Sequence, residues 1–210
     1  MNAPFIEGDL VAVREGAAGI IRLNRPKAIN AVTLEMFRDV DKALDAFVAD
    51  PAVSVIVLEG AGDRGLCAGG DIRALWESSH AKGDLGKILW REEYILNARI
   101  AHFPKPYVAL MDGIVMGGGV GLSAHSKHRV VTDKTKLSMP EVGLGFFPDV
   151  GGTWLLSHSP GETGTYFGLT GAPMNGPDAI HAKFADWVVP QSKLFTLRQA
   201  LTNIHPGAAD

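Results

Sequence analysis

The chain is short of cysteine, of net charge and of long apolar runs. Cys67 is the one cysteine in 210 residues, so no intrachain disulfide can form, and a reducing compartment fits that usage. Twenty Lys and Arg stand against 23 Asp and Glu, a formal net charge of -3. No basic excess points to a nucleic-acid partner, and an anionic ligand must be met by local positive groups rather than by a global field. No apolar stretch has the length of a membrane span. The first ten residues carry Glu7 and Asp9 and no apolar run. They read as neither a secretory signal nor an arginine-rich transit peptide, so the expected location is the cytoplasm.

Apolar residues and glycine are what the chain has in quantity. Hydrophobic residues make up 46% and charged residues 20%, enough for one sizeable core. The 25 glycines cluster in three stretches, which asks for a reason. Residues 10–23 read as two short strands around Glu15-Gly16-Ala17, a hairpin pattern. Over residues 33–49, Phe37, Val40, Leu44 and Phe47 recur at steps of three and four, predicting an amphipathic helix with Thr33 at its start. Residues 53–58, apolar but for Ser54, and 107–111 are apolar runs, as expected of strands buried on both faces. Further strands are predicted over 129–132, 136–139 and 187–189. Helices are predicted from 72, over 88–103 (closed by Pro104 and Pro106), from 149 toward 156, over 161–169 and 176–183, and from 191. Residues 78–86 are polar and read as a mobile loop. Alternating strands and helices argue an α/β fold with parallel pairing.

Two segments share one design. The strand at 53–58 leads to Cys67-Ala68-Gly69-Gly70-Asp71 and a helix, and the strand at 107–111 leads to Gly117-Gly118-Gly119-Val120-Gly121 and a helix. Strand, glycine turn and helix start can aim free N–H groups at a ligand, and glycine lets that ligand come close. A phosphate loop would need Lys followed by Ser or Thr, and neither segment has it. The dinucleotide fingerprint has a different spacing. Two N–H donors from separate loops suit a thioester carbonyl whose oxygen turns negative during reaction. Close packing of helix on strand also uses glycine, and for either loop alone that reading is as good. Two such loops in one short chain favour a site.

Three carboxylates stand out. Glu141 and Asp149 flank an apolar stretch holding Leu144, Phe146 and Phe147, where desolvation would make a carboxylate a better base near neutral pH. On spacing alone the plainer readings are the better ones: Asp149 as a helix N-cap and Glu141 as a surface acid after Pro140. Glu93 falls on the stripe Leu89, Glu93, Leu96, Ile100, Phe103, where an unpaired charge is costly and asks for a partner or a task. His125 and His128 lack the Cys or acidic partners of a zinc site. Cys67 reads as packing, Asp71 as a helix cap, and Arg25 and Lys27 as candidates for the phosphates of a cofactor.

Taken together the motifs resemble one family. Asn24-Arg25-Pro26-Lys27-Ala28-Ile29-Asn30-Ala31 is similar to the opening motif of the enoyl-CoA hydratase/isomerase (crotonase) family. Cys67-Ala68-Gly69-Gly70-Asp71-Ile72 and Met116 to Ser123 resemble its two oxyanion loops. Met139-Pro140-Glu141 and Phe147-Pro148-Asp149-Val150-Gly151-Gly152 complete the pattern. The resemblance implies a spiral of ββα units with packed, mostly parallel sheets and flanking helices, often as a homo-oligomer. It implies an acyl-CoA substrate with its carbonyl between the N–H groups of Gly70 and Gly118, coenzyme A contacts at Lys27, Ala68, Asp71 and Ile72, and no prosthetic group or metal. Hydratases of the family carry a second glutamate where this chain has Gly121. That departure, with Glu141, Asp149 and Arg91-Glu92-Glu93-Tyr94, resembles the 3-hydroxyisobutyryl-CoA hydrolase branch, whose activity belongs to valine breakdown. By that resemblance Glu141 activates water or attacks the thioester carbonyl. Asp149 binds the substrate hydroxyl or assists proton transfer, and Glu93 contacts the substrate. The core is expected over 1–190, with 191–210 the start of a C-terminal helical region that this branch normally continues. The alternatives are hydratase or isomerase activity, or a weakly active acyl-CoA-binding module.

Overall fold

The structure, a computed structural model, describes residues 5–204. Positions 1–4, and 205–210 of the expected C-terminal region, lie outside the described residues. Strands β1 (Leu10–Glu15) and β2 (Ala18–Leu23) form the expected antiparallel hairpin, with Gly16 at φ +57° in the turn. Helix α1 (Leu34–Ala49) follows. Thr33 caps it by accepting a hydrogen bond from the Met36 N–H at 3.3 Å, and its apolar stripe is buried from Leu34 to Phe47.

From here the chain repeats one unit. Strand β3 (Val55–Gly60) enters a large sheet and β4 (Gly65–Cys67) a small one; helices α2 (Ile72–His80) and α3 (Leu85–Ala101) lead back. Next come β5 (Tyr107–Met111), β6 (Ile114–Met116) and α4 (Gly118–Ser123), then β7 (His128–Thr132) and β8 (Lys136–Ser138). Helices α5 (Gly152–Ser157), α6 (Thr163–Thr170) and α7 (Gly176–His181), strand β9 (Trp187–Val189) and helix α8 (Gln191–Thr202) complete the described chain. The large sheet has the order β1-β2-β3-β5-β7-β9 and the small one β4-β6-β8. Apart from the first hairpin, every strand pair is parallel. This is the spiral of ββα units that the motifs implied.

Period-two alternation divides the large sheet between two apolar clusters. Ile56, Leu58, Tyr107, Ala109 and Met111 face α1 and α3, while Val55, Val57, Val108 and Leu110 face the other way. On that second face α8 lays Leu194, Leu197 and Leu201. Two expectations change. Residues 78–80 belong to α2 and 85–86 to α3, so the connection expected over 78–86 shrinks to 81–84. The three-residue strands β4 and β6 were not expected at all, and they set the two glycine loops side by side.

Candidate active site

The segment after β2 clamps the first glycine loop. Asn30 is fully buried at φ +54°. Its amide donates to the carbonyls of Ala61 and Gly65, both at 3.0 Å, and its Oδ1 accepts from the Arg25 N–H. Backbone bonds at 2.9 Å then join Ala68 to Ile29, Val32 to Gly69 and Asp71 to Val32. Gly70 is left with its N–H unused, and so is Gly118 at the start of α4: neither meets an acceptor among the described residues. A Cβ on Gly118 would stand 2.8 Å from Glu93 Oε1 and 3.6 Å from the Gly70 nitrogen. A Cβ on Gly119 would stand 2.7 Å from the Cβ of Cys67. Glycine is required there because the loops touch.

The carboxylates gather over these N–H groups. A cavity of about 250 Å³ is floored by Gly69, Gly70, Gly117 and Gly118, walled by Leu89, Trp90 and Phe146, and reached by Glu93, Glu141 and Asp149. The Trp90 and Phe146 rings stack with centroids 5.3 Å apart. Glu93 on α3 is 3% exposed, and neither of its carboxylate oxygens has a hydrogen-bond partner among the described residues. Burial first, and then the neighbouring Asp149 and Glu141, push its carboxyl up to about 8. Glu141 opens a 3-10 helix (Glu141–Leu144) and is 7% exposed, which corrects the surface reading. Burial pushes it up to about 7, against a backbone hydrogen bond that pulls it down. Its Oε2 has no hydrogen-bond partner among the described residues.

Asp149 is not a helix cap. Gly151, at φ +74°, holds the N-cap position of α5, with no side-chain cap. Asp149 instead accepts a 2.7 Å hydrogen bond from the Tyr94 hydroxyl. Burial raises its carboxyl and that bond lowers it, with burial the larger. Next to it Val150 sits at φ +46°, a conformation that costs a branched residue about 1–3 kcal/mol. The space above Gly121 is taken: a Cβ there would stand 2.9 Å from Val150 Cβ and 3.0 Å from both amide atoms of Asn97. A glutamate at 121 would have nowhere to go without displacing them.

Of the expected coenzyme A contacts, Ala68 and Ile72 line the cavity. Lys27 is exposed in a 3-10 turn (Pro26–Ala28) away from it. Asp71 caps α2 through the Ala74 N–H and is bonded by Arg25 at 3.0 Å, so the structure brings neither Lys27 nor Asp71 to the cavity wall. Cys67 is buried and its thiol pushed up to about 12 by desolvation, in keeping with packing. Sequence reasoning does not name Trp90, takes Phe146 only as part of the apolar stretch between Glu141 and Asp149, and takes Tyr94 only within Arg91-Glu92-Glu93-Tyr94, without a role of its own. The one available signal was that Tyr94 follows Glu93.

The family model for enoyl-CoA hydratase/isomerase matches residues 18–210. The chain belongs to that family. Its crotonase-type fold is shared with the carnitinyl-CoA dehydratase of Mycobacterium thermoresistibile, 51% identical with a TM-score of 0.93 over 97% of this chain and 60% of that one. An enoyl-CoA hydratase of Rhodobacter sphaeroides 2.4.1 is 45% identical, TM-score 0.91, over 97% and 62%. Among curated relatives, the mitochondrial 3-hydroxyisobutyryl-CoA hydrolase of Rattus norvegicus is 45% identical over 96% of this chain and 52% of its own length. The Homo sapiens protein of that name is 43% identical over 92% and 50%. The chain thus spans about half the length of these curated relatives. Their mitochondrial names correct the cytoplasmic expectation. A lone cysteine separates reducing from oxidising compartments, not one reducing compartment from another.

Proposed function

We propose that this enoyl-CoA hydratase/isomerase family member hydrolyses a short 3-hydroxyacyl-CoA thioester, 3-hydroxyisobutyryl-CoA in the first instance. One observation carries the reading: two unused N–H groups, two buried carboxylates (Glu93 and Glu141) and the half-buried Asp149 meet in one small cavity, while position 121 holds no carboxylate. The names of the curated relatives support it. In this reading the thioester carbonyl oxygen sits against the N–H groups of Gly70 and Gly118. Glu141, poised at about 7, takes a proton from water as the oxygen attacks the carbonyl carbon. The two N–H groups hold the tetrahedral oxyanion, where one such donor is typically worth about 10²–10³ in rate. Collapse breaks the C–S bond, and the coenzyme A sulfur leaves with the proton from Glu141. Asp149 binds the substrate hydroxyl. Glu93, raised to about 8 and so largely protonated at neutral pH, donates a hydrogen bond to the acyl group. Ala68 and Ile72 contact coenzyme A at the cavity wall, with Lys27 outside it nearer the solvent-borne phosphates. Coenzyme A enters as part of the substrate, and the chemistry asks for no prosthetic group. The activity would serve valine catabolism.

The test is free thiol release from 3-hydroxyisobutyryl-CoA by purified protein, with Glu141→Gln beside it. Release that disappears in the variant supports the reading, and no release from folded protein sinks it. A second reading, hydration of an enoyl-CoA, is favoured by the names of the two solved relatives. Loss of the enoyl thioester absorbance without thiol release would select it. Trapping of an acyl-enzyme on Glu141 under single turnover would replace water activation by direct attack.

A further inference from the structure

His125 lies outside the cavity and takes no part in the reaction just described, yet it is bonded to the turn that presents Asp149. Its Nε2 stands 2.6 Å from the carbonyl oxygen of Val150. A carbonyl only accepts, so Nε2 carries a proton, and the neutral ring is the Nε2–H tautomer. Burial, with nearby Arg129 also acting, outweighs the raising effect of the Val150 bond and keeps the ring below the usual histidine range. The ring is also a wall: a Cβ on Gly151 would fall 2.6 Å from its Cε1 and 2.7 Å from its Nε2. From the other side the Val150 side chain is wedged over Gly121. Val150 and Gly151 are both left-handed, at φ +46° and +74°, and a branched residue holds that conformation only where its surroundings impose it.

We infer that His125 is a positioning residue for Asp149, acting through the Val150 carbonyl. The imidazole pins the left-handed pair that follows Asp149. Without that bond the turn relaxes and the carboxylate moves off the geometry set by Tyr94 and the cavity wall. The kinetic part of the test rests on the hydrolase reading above; the spectroscopic part does not.

The conservative replacements separate the bond from mere bulk. Glutamine places its Nε2 as many bonds from Cα as the imidazole Nε2 and can donate to Val150. Asparagine ends at the level of Nδ1 and cannot. In thiol release from 3-hydroxyisobutyryl-CoA, His125→Asn is expected to lose kcat/KM on the order of 100-fold, because the group it misplaces is the one proposed to hold the substrate hydroxyl. His125→Gln is expected to recover most of that loss. In an Asp149→Asn background, His125→Asn should cost nothing further, because both changes act through one carboxylate. Losses that multiply in the double variant, a His125→Gln protein as impaired as His125→Asn, or a fully active His125→Asn would each overturn the inference. Independently of activity, nitrogen NMR should find Nε2 of His125 protonated at neutral pH. The carboxyl carbon signal of Asp149, assigned by its loss in Asp149→Asn, should move in His125→Asn and hold in His125→Gln. An unprotonated Nε2, or an Asp149 signal indifferent to both variants, overturns the inference even in a protein that releases no thiol.

Discussion

Removing the charge from Glu93 should make the protein more stable, and the gain should grow with pH. Glu93 is 3% exposed and its carboxyl is pushed from 4.5 up to about 8, chiefly by burial. A raised acid binds its proton in the folded state while the unfolded chain has already released it. The slope of stability against pH is therefore negative between the two values. Stability associated with this group is fully present below about 4.5 and is lost progressively up to about 8. At 1.36 kcal/mol per unit the whole interval corresponds to about 5 kcal/mol. Part of it is shared with Asp149 and Glu141, which titrate with Glu93 as a set. We therefore expect Glu93→Gln to gain about 2–4 kcal/mol near pH 8, and less than about 1 kcal/mol near pH 5, where wild-type Glu93 is still neutral when folded. At about 2–4 °C per kcal/mol for a chain of this size, the high-pH gain is a rise in Tm of roughly 5–15 °C. Urea and thermal unfolding of both proteins at the two pH values measure it directly. A variant no more stable than wild type near pH 8 would refute the reasoning. So would an equal difference at both pH values, because a pH-independent change speaks of packing and not of a buried charge. Activity is expected to fall in the same variant, since the carboxyl that burdens the fold is the one proposed to meet the substrate.

Three further outcomes follow from the same geometry. The acidic limb of kcat/KM should report a group titrating at about 7, because base catalysis needs the ionised form; a rate flat through that range would contradict this. Tyr94→Phe removes the hydrogen bond that lowers the Asp149 carboxyl; a carbon NMR titration should show Asp149 taking its proton at higher pH, and a carboxyl unmoved by the change would contradict this. Gly119→Ala sets a methyl 2.7 Å from the Cβ of Cys67, well inside normal carbon contact. Urea unfolding should show a net loss of about 1–2 kcal/mol, overpacking outweighing the gain in helix propensity.

The larger elements were legible because their patterns are long. The steps of Phe37, Val40, Leu44 and Phe47 survive as the buried face of α1, and the run from Tyr107 to Met111 is buried at every position. Strands β4 and β6 were not legible, since three residues inside a glycine-rich stretch display no period. Glu93 could be found from its place on an apolar stripe. Glu141 and Asp149 could not be distinguished by spacing from a surface acid and a helix cap; only the family resemblance drew them toward the site. Tyr94 escaped because its partner is 55 residues away. Nothing local announces a left-handed valine at position 150 either, as its conformation is imposed by groups on other elements.

Helix α8 carries a consequence for how the chain is made. During synthesis every strand of the large sheet has been translated once Val189 has been added. Ile20, Val57, Val108 and Leu110 on its second face nevertheless stay bare until the next twelve residues emerge and Leu194, Leu197 and Leu201 settle on them. Arg198 then ties Glu15 of the first hairpin to Glu59 of β3, joining elements far apart in the order of synthesis. A nascent chain that has emerged only as far as β9 would display an adhesive sheet, and holdase chaperones would be expected to engage it until that helix emerges.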